Sequence, residues 1–196
     1  MALTKSSTID VVDAWQAVTA ANMAVGSVAD LSDSYNSIMY IETAAVETVA
    51  HGTGTQVIVE VSYADDEWTT LTTFRGTAET GDKSPINVDA TAGGGTIAII
   101  SSAGDFDTVG RKFLIKDATI GNSEAVRTKS ATTVIITLAQ DLIRAHLTTA
   151  ICYDRVDDFV VSLPTAAAKA RLLVNNDDAD CDIAFTSRIS KVTAVS

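Results

Sequence analysis

The sequence predicts an all-β protein: an antiparallel β-sandwich with an inserted small β-barrel-like module and an extended N-terminal arm. Three observations carry this expectation. Val57, Val59, Val61 and Tyr63 lie on one side of a two-residue period and Gln56, Glu60 and Ser62 on the other, the pattern of a half-buried strand. A polar break of hairpin length, Ala64–Glu67, follows, and then Trp68–Phe74 resumes with four threonines among its apolar residues. β-branched side chains favour a pleated surface, so the three-residue spacing of Trp68, Leu71 and Phe74 reads as strand rather than helix. Short apolar runs separated by turn residues then recur from Thr96 to Asp154 and again from Phe159 to Val192.

Residues 1–35 have no sustained period. Ser7 or Thr8 could cap a short helix through Ile9, Val12, Trp15 and Val18, but the pattern decays into Thr-Ala-Ala-Asn-Met-Ala-Val-Gly, which suits an arm lying across a surface. Trp15 then plugs the core of its own fold or anchors a neighbouring subunit; the first is favoured, because a buried Trp usually serves its own chain. Ile38–Val49 reads as a long strand covered on both faces. His51-Gly-Thr-Gly-Thr55 turns the chain into the Gln56–Phe74 hairpin.

Residues 77–95 break the composition with Gly, Ser, Thr and Pro and are expected to be a linker. Five strands are expected in 96–154, around Ile97–Ile100, Phe113–Ile115, Glu124–Lys129, Val134–Leu138 and Ala150–Tyr153, with one helical turn at Ala139–His146. Phe159, Val161 and Leu163, then Ala170–Asn175, then Ile183–Val192 supply three more strands. These complete a host sandwich formed by 36–76 and 155–196, with 96–154 as the insertion.

Composition narrows the function. The chain has 196 residues, a net charge of −11 and only 6% aromatic residues. Such a charge opposes a nucleic-acid surface, which needs concentrated Lys and Arg. No run reaches the roughly 18–20 apolar residues of a membrane helix, and Asp10 and Asp13 interrupt the early apolar stretch where a leader would lie. A protein made and assembled in the host cytoplasm is expected, with no membrane partner. Cys152 and Cys181 are too few for a disulfide framework and read as buried thiols, or as a pair if their strands are neighbours.

Asp30-Leu-Ser-Asp-Ser-Tyr35, the strand after it, Gln56-Val-Ile-Val-Glu-Val-Ser62, the acidic turn Asp65-Asp-Glu67 and Trp68 together resemble small β-sandwich virion proteins of tailed bacteriophages. The resemblance spans Asp30–Phe74. It implies a virion structural protein, as capsid decoration, head-to-tail neck or tail accessory protein. The implied partners are other copies of the chain and other virion proteins: capsid, portal or neck, or tail. A receptor- or glycan-binding module is the alternative, and an exposed aromatic patch on the insertion would speak for it.

No catalytic, cofactor or metal site is expected. Asp178, Asp180 and Asp182 alternate like the opening of a calcium loop, but the turn glycine is missing and Ile189 stands where the closing Glu belongs. A solvated hairpin turn explains them. His51 sits alone in its turn. Gly93–Gly95 lacks the following Lys and helix of a phosphate loop. His146 has no nucleophile beside it in sequence, and Asp157 and Asp158 would point to opposite faces of a strand.

Overall fold

In the computed structural model, residues 5–46, 55–64, 66–76, 82–100, 106, 108–177 and 180–195 are described. Fifteen strands and one 3-10 turn, Ile120–Asn122, occur among them. In chain order the strands are β1 (Lys5–Val18), β2 (Asn22–Val25), β3 (Ala29–Asp30), β4 (Asn36–Ala45), β5 (Thr55–Ser62) and β6 (Trp68–Arg75). Next come β7 (Lys83–Pro85), β8 (Thr96–Ala98), β9 (Lys112–Lys116), β10 (Glu124–Ala131), β11 (Ile135–Leu138) and β12 (Ile151–Tyr153). The last three are β13 (Asp157–Leu163), β14 (Lys169–Asn176) and β15 (Ile183–Val195).

Side-chain alternation builds two antiparallel sheets that face each other. The first runs β1-β15-β4-β13; the second runs β2-β14-β5-β6, with β3 beside β2 on β14. Met39 and Ile41 of β4 and Ile183, Phe185 and Ile189 of β15 point inward from the first. Val57, Val59 and Val61 of β5 and Ala170, Leu172 and Val174 of β14 meet them from the second. The expected hairpin is present: β5 pairs with β6, with a bulge opposite Val59 and Glu60. Phe74 of β6 stacks on Phe159 of β13 at 4.6 Å and closes that side of the sandwich. Tyr63, expected on the core side, is half exposed, because β5 ends at Ser62 and the chain has already turned.

The N-terminal segment departs from the expected arm. Residues Lys5–Val18 form the longest strand and pair along β15 from Val195 to Ile183. The pairing gives the backbone groups along that edge of β15 protein partners in place of water and covers an edge that would otherwise invite pairing with other chains. Asp13 sits in a bulge of β1 and is buried. Its Oδ1 accepts the Ser27 N–H at 2.7 Å and its Oδ2 accepts the Ser187 hydroxyl at 2.6 Å. A Cβ at Gly26 would come within 2.7 Å of that Oδ2, so the turn after β2 requires glycine. The far end of the sandwich is closed by buried Asn176, whose amide donates to the carbonyls of Val18, Thr19 and Cys181.

The inserted unit is a six-stranded sheet in the order β7-β12-β9-β10-β11-β8. An Ile86–Ile99 bridge brings its two edges together, so the sheet curls into a small barrel-like unit. Ile97, Phe113, Ile115, Val126, Ile136 and Cys152 fill it, with Phe106 edge-to-face on Phe113 at 5.6 Å. The described part of the expected linker, 82–95, belongs to the barrel: Ser84 and Ile86 point into it, and Ala90 bridges His146. Buried Asp154 clasps the two ends of the insertion. Its Oδ1 accepts the Asp82 N–H at 2.7 Å, and its Oδ2 pairs with Arg111 at 3.1 Å. Ala139–His146 is an irregular loop instead of a helical turn, because its backbone bonds go outward to Arg127, Gly94 and Ala90.

A third cluster welds barrel to sandwich: Trp15, Ala44, Val46 and Ala184 on one side, Leu114 and Tyr153 on the other. Ala44 faces Ala184 across β4 and β15, and these short side chains let Leu114 and Tyr153 approach the outer sheet surface. Trp15 is thus buried by its own chain, but between the two units rather than inside the sandwich core.

Candidate functional site

Beside that weld lies a cleft of about 430 Å³. β1 supplies Val11, Ala14 and Trp15 to it, β4 supplies Glu42, and β15 supplies Thr186 and Arg188. The barrel contributes Lys112, Ser123, Glu124 and Arg127, together with Gln140, Ile143 and Arg144 from the irregular loop. Four cations line it against two carboxylates, a local reversal on a chain of net charge −11.

Period-two alternation places the sandwich groups. Glu42 pairs with Thr186 on β15 and Asp158 on β13, so all three share the outer face of the first sheet. Lys112 reaches across from β9 to pair with Glu42 and, at 2.6 Å, with Asp158. Arg127 meets Asp158 at 2.9 Å and Arg188 meets Glu42 at 3.2 Å. Arg127 and Arg188 remain nearly half exposed, so these ion pairs orient the guanidinium groups and add little to stability. Arg144 donates to the Gly121 carbonyl at 2.5 Å and to Asn122 Oδ1 at 2.8 Å.

Behind the cleft wall stands a buried polar group that sequence reasoning missed. His146 Nε2 lies 2.7 Å from Glu124 Oε1, and its Nδ1 lies 3.5 Å from Asp117 Oδ2. Glu124 also accepts the backbone N–H groups of Ile143 and Arg144 at 3.0 and 3.2 Å. Burial raises its pKa, but the His146 bond and the two backbone donors outweigh this and hold it below the ordinary value of 4.5. The three residues lie 7 to 29 positions apart on separate loop and strand segments, so only the barrel brings them together. Chemically, the arrangement anchors the irregular loop: Glu124 spends its oxygens on the imidazole and two backbone donors. Ser123, also on the cleft wall, accepts the Asp117 N–H at 3.0 Å.

The other residues weighed from sequence are dispersed. Asp182 Oδ1 accepts the Ala20 N–H at 2.9 Å and so serves the turn after β1. His51 and Asp178 lie outside the described residues. Asp158 pairs with Lys112 and Arg127 of the cleft wall, while its neighbour Asp157 alternates to the other face of β13. Gly93 adopts φ +78 in a turn bonded to Leu142. Cys152 and Cys181 are both buried and unbridged, one in each core, so they do not pair.

No family model matches the sequence, and no curated protein matches it. Among solved structures, Gp54 tailspike of Acinetobacter baumannii bacteriophage AP22, in complex with A. baumannii capsular saccharide, aligns at 12% identity and a TM-score of 0.31. That alignment covers 39% of this chain and 15% of the tailspike. A. japonicus CB05 aligns at 11% identity and a TM-score of 0.36, over 97% of this chain and 27% of its own. VP17, a capsid protein of bacteriophage P23-77, aligns over 99% of both chains at 6% identity and a TM-score of 0.21. At these scores the likenesses carry no argument about role.

Proposed function

We propose that the chain is a structural component of a tailed-bacteriophage virion, acting through repeated subunit contacts and catalysing no reaction. One observation carries the reading: both outer faces of the sandwich present large apolar side chains to solvent. On the first sheet Val11, Arg188, Tyr40 and Val160 run side by side across four strands, with Ile9 and Ile38 in the next row. Ile9, Val11 and Val160 are each more than 60% exposed. On the second sheet Val25, Leu173, Ile58 and Thr73 form the corresponding row, and Met23 stands exposed beside it.

A solvated antiparallel sheet face is normally polar, and contiguous exposed apolar surface marks contact sites. The motif resemblance over Asp30–Phe74 supplies the class of assembly: capsid decoration, neck or tail accessory protein. The receptor- or glycan-binding alternative would draw on an aromatic platform on the insertion. Phe106, Phe113 and Tyr153, the aromatic residues of 82–154, are all buried. The test is mass spectrometry of gradient-purified particles from cells producing the phage. The chain is expected in the particle band in multiple copies; recovery only with the free proteins of the lysate overturns the reading.

A further inference from the structure

We propose that the cleft receives the β5–β6 hairpin tip of a second copy, so that copies join head to tail. The inference deepens the assembly reading and rests on its premise that copies meet. The chemistry of the two surfaces is complementary. The cleft offers Arg144 beside the apolar Val11 and Ile143, which are 64% and 80% exposed, with Arg127 and Arg188 already paired to Asp158 and Glu42 next to it. Among its described contacts Arg144 bonds only neutral oxygens, so its charge remains available to an incoming carboxylate. The tip carries the matching groups, exposed Glu67 and half-exposed Tyr63, while neighbouring Asp66 (φ 59) is held by Lys169 of its own chain. Within one chain Tyr63 has no core to enter, although its side-chain pattern continues the buried row of Val57, Val59 and Val61.

The topology sets the direction. Ser62 pairs with Lys169, which also pairs with Asp30, so the tip leaves the sandwich at that end. Val18, Val46, Thr55 and Asn176 mark the opposite end, near which Trp15 and the barrel form the cleft. A chain therefore cannot fill its own cleft with its own tip. The contact is heterologous, and it closes into a ring when the rotation between copies allows.

Sedimentation velocity on the full chain over a concentration series tests this. Wild type is expected to associate, and Arg144→Glu or Glu67→Arg alone to weaken association at least about tenfold through like charges. The double variant, carrying both reversals, should regain wild-type association. Both positions are exposed, and protection of the buried thiols checks that each variant is folded. A monomeric wild type overturns the proposal and leaves the cleft to a different acidic partner. Single variants that associate normally, or a double variant weaker than either, also overturn it. A monomeric chain that still enters purified particles sinks this contact while the structural role stands; a ring-forming chain absent from particles does the reverse.

Discussion

The sandwich and the barrel solve the same problem with different means. The sandwich uses strands of eight to fourteen residues on its central and long edges, and mostly aliphatic side chains, with Phe185 and the Phe74–Phe159 pair, meet across two sheets. The barrel uses strands as short as three residues, brings its edges together at Ile86 and Ile99, and relies on an aromatic pair and an Asp154 clasp. A unit this small buries too little surface to be secure alone. β9 shows how it compensates: Phe113 and Ile115 face the barrel core, while Leu114 on the opposite face enters the weld to the sandwich. The barrel is thus stabilised from outside as well as inside. Each core holds one buried cysteine, and burial pushes the Cys152 thiol up to about 12, so it reacts only when its core opens. Thiol labelling can therefore follow the two units separately.

The largest effect should come from Val59→Asp. Val59 is fully buried at the centre of the sandwich, and an unpaired charge there costs several kcal/mol, on the order of the whole stability margin. Cys181 should label at once, and Cys152 should follow because the barrel loses its support. A Cys152 that stays protected would break the claim of dependence and make the barrel self-sufficient.

Trp15→Ala comes next, at about 3–5 kcal/mol for an emptied aromatic site. Because Trp15 sits in the weld, urea unfolding of this variant should split into two transitions, with Cys152 exposed in the earlier one. A single transition at wild-type denaturant concentration would mean that the weld carries little. Asp154→Ala should cost about 3 kcal/mol, since it leaves Arg111 and the Asp82 N–H without this partner. Its mark is local: faster Cys152 labelling with Cys181 unchanged.

The smallest effect is pH dependence at Glu124. Its folded pKa lies below the unfolded value, so its stabilisation is complete above about pH 4.5 and is lost as pH falls through the folded value. Urea midpoints measured between about pH 3 and pH 6 should decline on the acid side, and Glu124→Gln should be less stable near neutrality with a shallower decline. An unchanged acid slope in that variant would remove Glu124 from the account.

The Val57–Val61 alternation, the hairpin to Trp68–Phe74, the three closing strands and the all-β class were legible in the sequence because each long strand repeats its two-residue period several times. β7 spans three residues, too few for a period to show, and sits among Gly, Ser, Thr and Pro, which is why 82–95 read as a linker. The Ala44–Ala184 pair, the Asp154 clasp and the Glu124–His146–Asp117 group gave no sequence signal, since their members share no local spacing.

The sequence by itself therefore determined which residues alternate and where the chain turns, because both are set within a few bonds of each residue. Only the tertiary structure decided that β1 joins β15 instead of lying free, and that Trp15 seals a joint between two units. It alone gathered four cations into a cleft on an acidic chain. Those outcomes depend on contacts between residues up to about 190 positions apart, and no local preference encodes them.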